Sequence, residues 1–507
     1  MFEAVELGHR IGARRYAREL PPLRAGLIAA QLQLLRTRPF SMVIILAGMD
    51  GAGKGDSVNV LNEWLDPRHV QTYAPAESLA RDGDRPPMWR YWGALPAKGE
   101  IAIFFDDLYS GPIRQRVYGH VGNSELDQAL ERNLRFEKML VAEGVLVLKI
   151  WLHLSRKDQK KRLRQMEQEA ATRWRVTAED WRNHEHYQDF HRIAERALRQ
   201  TSTAEAPWTL IEGSDRHYRE LTLGQTLLQA LRQRLDEGEV RGVVNVTVPP
   251  RLPRLDDRNL LRALDLDRDL AKADYDRQLA HWQGRLSRLS RKKGFARLSL
   301  VVVFEGNDAA GKGGAIRRVT RALDARRYRV VPVGAPTDEE AARPYLWRFW
   351  RQLPPRGRLV LFDRSWYGRV LVERVEGLCE PVDWLRAYGE INDFEEQLVR
   401  HQCLVVKFWL AIDADEQLRR FRQREAVPFK QFKITAEDWR NRARWPLYEE
   451  AVCDMVERTS SDIAPWVLVE ANSKRYARIK ILKTLCQRIA AALRQQRTPE
   501  APARWSS

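Results

Sequence analysis

Residues 301–319 read VVVFEGNDAAGKGGAIRRV. A β-branched run enters a glycine-rich turn with the spacing G-x-x-x-x-G-K, from Gly306 to Gly311 and Lys312, and a basic segment follows. A buried strand, a tight turn and a helix in that order form a phosphate cradle. The backbone N–H groups of Gly306, Asn307, Asp308, Ala309, Ala310, Gly311 and Gly313 would converge on an anion at the helix N-terminus, with Lys312 reaching its terminal phosphates. Glycine suits such a loop where φ is positive or a Cβ would crowd a phosphate. One residue departs from the pattern: Gly313, followed by Gly314, stands where a Ser or Thr hydroxyl would hold Mg.

The same stretch occurs twice. ILAGMDGAGKG at 45–55 matches VFEGNDAAGKG at 303–313, an offset of 258 residues. WRYW at 89–92 against WRFW at 347–350, KIWL at 149–152 against KFWL at 407–410, and TAEDWRN at 177–183 against 435–441 keep that offset. Phe105-Asp106 matches Phe362-Asp363 at 257, a one-residue slip. A repeat in one register means two copies of one folding unit.

Each copy reads as an α/β domain. Apolar runs at 42–47 and 298–304 have the composition of central parallel strands buried on both faces. Further strands are expected at 101–105, 146–152, 359–362 and 404–410. Helices are expected at 56–64, 126–143, 221–235, 314–323, 384–401 and 480–494, with lead-in helices at 19–37 and 260–291. The expected fold is two tandem doubly wound parallel-sheet domains of P-loop kinase type with helical lids. Prolines and mixed charge at 236–259 place the boundary, giving domains 1–240 and 256–500, and the tail from 496 is expected to fray.

The 507 residues, 44% hydrophobic, suffice for two cores, and the net charge of +18 points to a polyanionic partner: nucleotide, polyphosphate, nucleic acid or an anionic surface. Only four cysteines occur, none at zinc-ligand spacing, so reduced thiols are expected. The N-terminus lacks the apolar stretch of a signal peptide and no segment approaches 18 uncharged apolar residues, so a cytoplasmic soluble protein without membrane attachment is expected. No zinc-finger or single-strand-binding pattern points to a specific nucleic-acid partner.

The chemistry concentrates in the second copy. Asp363, ending a strand beside the loop, is positioned to hold Mg directly or through water, with helix capping as the alternative. Asp308, inside the loop, would repel phosphate unless Mg neutralised it or it polarised an incoming nucleophile; acceptor activation close to a metal is the favoured reading. Arg364, Arg369 and Arg374 suit bidentate contacts to phosphate oxygens, with surface ion pairing as the alternative. Arg419, Arg420, Arg424 and Lys430 follow a late strand as a lid would, or form a solvated helix face. Trp350 reads as core, with approach to a nucleobase as the alternative.

Together the G-N-D-A-A-G-K-G-G loop at 306–314, D-R-S-W-Y at 363–367 and the later K-F-W-L with its basic lid resemble the polyphosphate kinase family two, over nearly the whole chain. The duplicated layout is similar to the family's two-domain members that use AMP. The resemblance implies Mg-dependent transfer of a phosphoryl group from inorganic polyphosphate to AMP, giving ADP, without a covalent intermediate. It implies that Asp308 polarises the acceptor, Asp363 supports Mg, and Lys312 with Arg364, Arg369 and Arg374 handles the phosphate chain. An ADP- or GDP-using polyphosphate kinase and an ATP-dependent nucleotide kinase are the competing enzymes, and a homo-oligomer is left open. On the slipped register the first copy keeps Asp50, Lys54 and Asp106 but sets Asp107 against Arg364, Pro112 against Arg369 and Val117 against Arg374, so a degenerate, catalytically silent first domain is expected.

Overall fold

The computed structural model describes residues 1–74, 82–106, 108–237 and 259–496. The boundary segment proposed at 236–259 and the tail from 496 fall almost entirely outside these residues. The chain forms two compact units. Unit 1 comprises Met1–Leu79, Tyr91–Asn245 and Pro336–Trp347; unit 2 comprises Ala80–Arg90, Val246–Ala335 and Arg348–Ser507. Each unit thus takes one segment from the other repeat.

Unit 1 is built on five parallel strands, β1 (Met42–Gly48), β2 (Val70–Tyr73), β3 (Ile101–Phe105), β4 (Leu146–His153) and β5 (Trp208–Glu212), in the order β2-β3-β1-β4-β5. Its principal helices are α1 (Ala13–Thr37), α2 (Lys54–Trp64), α3 (Asn123–Ala142), α4 (Arg156–Gln168), α5 (Ala178–Glu185), α6 (Tyr187–Thr201) and α7 (Arg216–Glu237). Within this unit the borrowed segment is held by Lys98 N–H donating to Ala342 O (2.9 Å) and Arg343 Nε donating to Leu95 O (3.1 Å).

Unit 2 repeats the plan with β6 (Ser299–Gly306), β7 (Tyr328–Pro332), β8 (Leu359–Asp363), β9 (Cys403–Ala411) and β10 (Trp466–Glu470), again all parallel, ordered β7-β8-β6-β9-β10. Its principal helices are α8 (Lys272–Ser290), α9 (Lys312–Thr320), α10 (Pro381–Arg400), α11 (Ala414–Glu425), α12 (Ala436–Ala443), α13 (Trp445–Thr459) and α14 (Lys474–Gln495). Here Arg85 Nε donates to Leu353 O (3.3 Å), and the His401 ring meets Gly83 O (3.1 Å).

The six expected strands are all present. The central β6 is buried on both faces because α helices cover each side. Leu300, Val302 and Phe304 pack with Ile481, Leu485 and Ile489 of α14 and Leu286 of α8. The alternate side chains of the sheet face α10, where Lys407 in the middle of β9 donates to Glu395 (2.7 Å), Tyr367 OH (2.8 Å) and Thr459 O (2.8 Å). Such a buried ammonium is tolerated because each N–H has an acceptor. Trp350 is buried, as read.

Two lead-in helices differ from expectation. α1 starts at Ala13 and runs through Pro21 and Pro22. Residues 259–271 are turns, because the Asn259 carboxamide accepts from Leu261 N–H (2.8 Å) and closes the chain locally; the helix begins only at Lys272. Cys403, Cys453 and Cys486 are buried, Cys379 is half-buried, and all four are free thiols. Among the described residues no helix is long and apolar enough to cross a membrane.

Candidate active site

The loop between β6 and α9 is shaped by what lies beneath it. Gly306 has φ +148°, and a Cβ there would sit 2.4 Å from Leu410 O on β9, so the neighbouring strand itself demands glycine. Gly311 caps α9 at φ +107°, and a Cβ there would meet nothing within 4 Å. Ala309 also has positive φ, +64°. The loop carbonyls are taken up from α11: Gln417 Nε2 donates to Asp308 O (3.2 Å), and Arg420 Nη1 to Ala309 O (2.9 Å) and Ala310 O (3.0 Å). The other arm of Arg420 reaches Ala471 O (2.7 Å) and Asn472 O (2.8 Å) at the start of α14. The N–H groups of Asn307 and Ala310, expected to face an anion, instead donate to Leu410 O (3.3 Å) and Asn307 O (3.0 Å). Arg420, expected in a phosphate-facing lid, is instead buried as the clasp of this loop.

Lys312, the first residue of α9, folds back to donate to Gly306 O (2.7 Å) and Asn307 O (3.3 Å). Burial pushes its ammonium below the usual lysine range, with Asp308 opposing. Asp308 accepts from Arg364 Nη2 at Oδ1 (3.1 Å) and from Asn441 Nδ2 at Oδ2 (2.8 Å). Burial alone would raise its carboxyl, but Lys312, Arg364 and the Asn441 hydrogen bond outweigh that and hold it below the usual carboxylate range. Glu305, one residue before the loop, is fully buried and pushed the other way by desolvation; Ser365 Oγ donates to it (2.8 Å). Asp363 ends β8, which lies directly beside β6. A Cβ on Gly313 would stand 3.8 Å from Asp363 Oδ2, so the position without a hydroxyl faces a carboxylate. At Gly314 the nearest neighbour is the Arg478 guanidinium, 3.3 Å from such a Cβ.

The motif 363–367 divides by direction. Asp363 and Arg364 face the loop; Trp366 Nε1 (3.2 Å) and Tyr367 OH (2.7 Å) donate to buried Glu395 and anchor the turn. Arg364 has φ +64°, a strained value for a side-chain-bearing residue. Beside it opens a cleft whose polar end is Asp308, Arg364 and Asn441 and whose walls are Leu371, Val372, Trp409, Trp445 and Tyr448.

The remaining cations are placed differently. Arg369 pairs with Glu373 (2.7 Å). Arg374 stacks on Trp384 and donates to Asp454 (2.8 Å) and Tyr388 (3.1 Å), bracing α10 against α13. Arg419 is exposed and forks onto Glu416 (2.6 and 2.7 Å). Arg424 lies in the last turn of α11, and the Lys430 side chain is outside the described set. Asn441, Gln417, Glu305 and Arg478 were not singled out from sequence, although Asn441 closes a segment that recurs at 177–183. Asn183 makes the same contact in unit 1, donating to Asp50 Oδ2 (2.6 Å).

The two units also correct the slipped register. Asp106 N–H donates to Leu46 O (2.9 Å) and Arg364 N–H to Phe304 O (3.0 Å), both have positive φ, and β3 pairs with β1 as β8 pairs with β6. The offset is therefore 258 throughout. Asp106 stands against Arg364, Phe105 against Asp363, Gly111 against Arg369 and Arg116 against Arg374. The pairings of Asp107, Pro112 and Val117 with the three arginines do not hold; Asp107 itself lies outside the described residues. In unit 1 Lys54 is drawn into ion pairs with Asp50 (3.0 Å) and Asp106 (2.8 Å), which, against the opposing pull of burial, push its ammonium above the usual range. A Cβ on Gly53 would be 2.4 Å from the Arg219 guanidinium, and Asp56 in the first turn of α2 pairs with Arg175 (3.0 Å) and Arg162 (3.4 Å).

A doubly wound parallel sheet, a glycine loop capped by a helix with its lysine, and an acid–arginine pair on the adjacent strand define a phosphotransferase of the P-loop kinase type. The chain belongs to the Polyphosphate kinase 2 (PPK2) family, whose pattern matches residues 10–238 and 269–497. It is 51% identical to a polyphosphate:AMP phosphotransferase of Pseudomonas aeruginosa over 98% of this chain and 100% of the relative, and 50% identical to one of Pseudomonas syringae pv. tomato over 97% and 99%. A GDP-polyphosphate phosphotransferase of Mycobacterium tuberculosis is 37% identical over 44% of this chain and 75% of its own. A crystal structure of a polyphosphate kinase 2 from Pseudomonas aeruginosa superposes with TM-score 0.88 at 50% identity, covering 98% of this chain and 100% of that one.

Proposed function

We propose that unit 2 transfers the terminal phosphoryl group of inorganic polyphosphate to AMP, giving ADP and a chain one phosphate shorter, in the cytoplasm. The observation that carries this is the junction of a phosphate loop with an aromatic-walled cleft at Asp308 and Arg364. The cleft suits a nucleoside: rings for the base, cations for its phosphate. Asp308, held ionised, orients the acceptor phosphate and takes any proton it carries; the acceptor oxygen then bonds to the terminal phosphorus as the bridging P–O bond of the donor breaks. Lys312, Arg364 and the N–H groups at the N-terminus of α9 hold the transferring charge.

The carboxylates suit a hard divalent cation. Asp363, facing the hydroxyl-free start of α9, is the residue that would hold Mg; both oxygens of Asp308 already carry hydrogen bonds, which favours acceptor positioning over metal ligation for it. When bound, Mg would neutralise phosphate charge. Arg478 and the exposed Arg419 are better disposed toward a long polyanion than the braced Arg374 or the clasp Arg420.

Unit 1 is proposed to be catalytically silent. Phe105 replaces the metal-holding acid, Asp106 ties down Lys54, and Asp56 supplies a carboxylate at the helix N-terminus, where a phosphate would otherwise sit, already paired with Arg162 and Arg175. Incubation with Mg and AMP, once with long-chain polyphosphate and once with ATP, is expected to make ADP from polyphosphate only. Lys312→Ala is expected to lose at least 100-fold in kcat, and Lys54→Ala less than threefold. Turnover with ATP alone sinks the donor assignment; the reverse ranking of the two lysines sinks the assignment of units. A panel of mono- and diphosphates reads the acceptor against the GDP-using relative.

A further inference from the structure

Unit 1 holds a side-chain cluster that phosphoryl transfer does not explain. Glu6, His153 and His191 each offer a ligand atom, and the three atoms lie within 4.8 Å of one another. His153 is the last residue of β4 and its side chain is fully buried; Glu6 follows the turn Phe2–Val5, and His191 lies on α6. His153 Nε2 meets Glu6 Oε1 at 2.8 Å, whereas Nδ1 of the same ring is buried without a hydrogen-bond partner. Phe2 stacks on the His153 ring (4.2 Å, 6°) and sets its edge against His191 (4.9 Å), fixing both imidazoles. At the same offset unit 2 carries Ala411 and Glu449, so the cluster belongs to unit 1 alone.

We propose that Glu6, His153 and His191 form a site for a borderline divalent transition ion such as Zn2+, which ties the first residues of the chain to β4 and α6. Two imidazoles and one carboxylate are a common donor set for zinc, with a fourth position left to water. Ligands at about 2.0–2.2 Å from such an ion stand close enough together that the observed spacing needs only side-chain rotation. Mg2+, which prefers an all-oxygen octahedron, would not compete, so this site is distinct from the one proposed at Asp363. Glu6 and His191 are partly exposed, giving the ion a way in.

The test uses the untagged full chain, stripped by chelator and titrated with Co2+ in millimolar Mg2+, with visible absorption as the readout. One equivalent is expected to give the d–d bands of a four- or five-coordinate ion, displaced by Zn2+ and retained in Asp363→Asn. Glu6→Gln and His191→Ala, which touch the solvent-facing side and keep the buried ring, are expected to weaken Co2+ binding at least tenfold while turnover of AMP stays within twofold. Zn2+ should raise Tm in the parent and not in these variants. Absence of stoichiometric binding, binding abolished by Mg2+, or binding that survives both variants overturns the proposal.

Discussion

Asp308 is partly buried yet ionised because three neighbours favour its charge: Lys312, Arg364 and Asn441. A carboxyl with a depressed folded pKa contributes stability above its unfolded value and loses it as pH falls through the folded one. Asp308→Asn is therefore expected to lower stability by about 1–2 kcal/mol at neutral pH, with the deficit shrinking as the buffer is taken toward about pH 3. Urea unfolding across that range reads it, and a deficit that widens in acid would contradict the account. That the loop glycines, Lys312, Asp308 and Asp363 lie together was legible, because the spacing of the glycine loop and the end of the neighbouring strand brings them side by side. The partner of Arg364 in unit 1 was not: two Phe-Asp dipeptides invited a slip that only hydrogen bonds to Leu46 and Phe304 and the shared positive φ of Asp106 and Arg364 could remove. Backbone conformation of that kind leaves no mark on composition.

Elements locate the loop as firmly as residues do. α11 contributes Arg420, whose four backbone acceptors span the phosphate loop and the start of α14, so one side chain joins three segments distant in sequence. Arg420→Ala would leave those carbonyls buried without donors and is expected to destabilise the protein by about 3–5 kcal/mol, with faster hydrogen exchange at 307–311. A Tm within two degrees of the parent would refute the clasp. From sequence this arginine was one of several in a basic run, and nothing in the run tells an inward guanidinium from Arg419 beside it. The central strands were readable as unbroken apolar runs. The four edge strands β2, β5, β7 and β10 were not, since each spans only four or five residues and none is buried along its whole length.

At the scale of the molecule, the repeat was visible in the sequence, but the membership of each unit was not. Unit 2 includes Ala80–Arg90, and unit 1 includes Pro336–Trp347. A fragment spanning 256–507 would lack the Arg85 and Gly83 contacts to Leu353 and His401, and is expected to unfold at lower temperature and less cooperatively than the same unit in the full chain. Calorimetry of both decides; an unchanged transition would show the borrowed segment to be dispensable. Because each unit is completed by a piece encoded in the other repeat, a deletion that removes either half also removes part of the survivor. Were one copy to lose its chemistry, it would still remain under selection for its fold, and a gene once doubled in this way has no short route back to a single one.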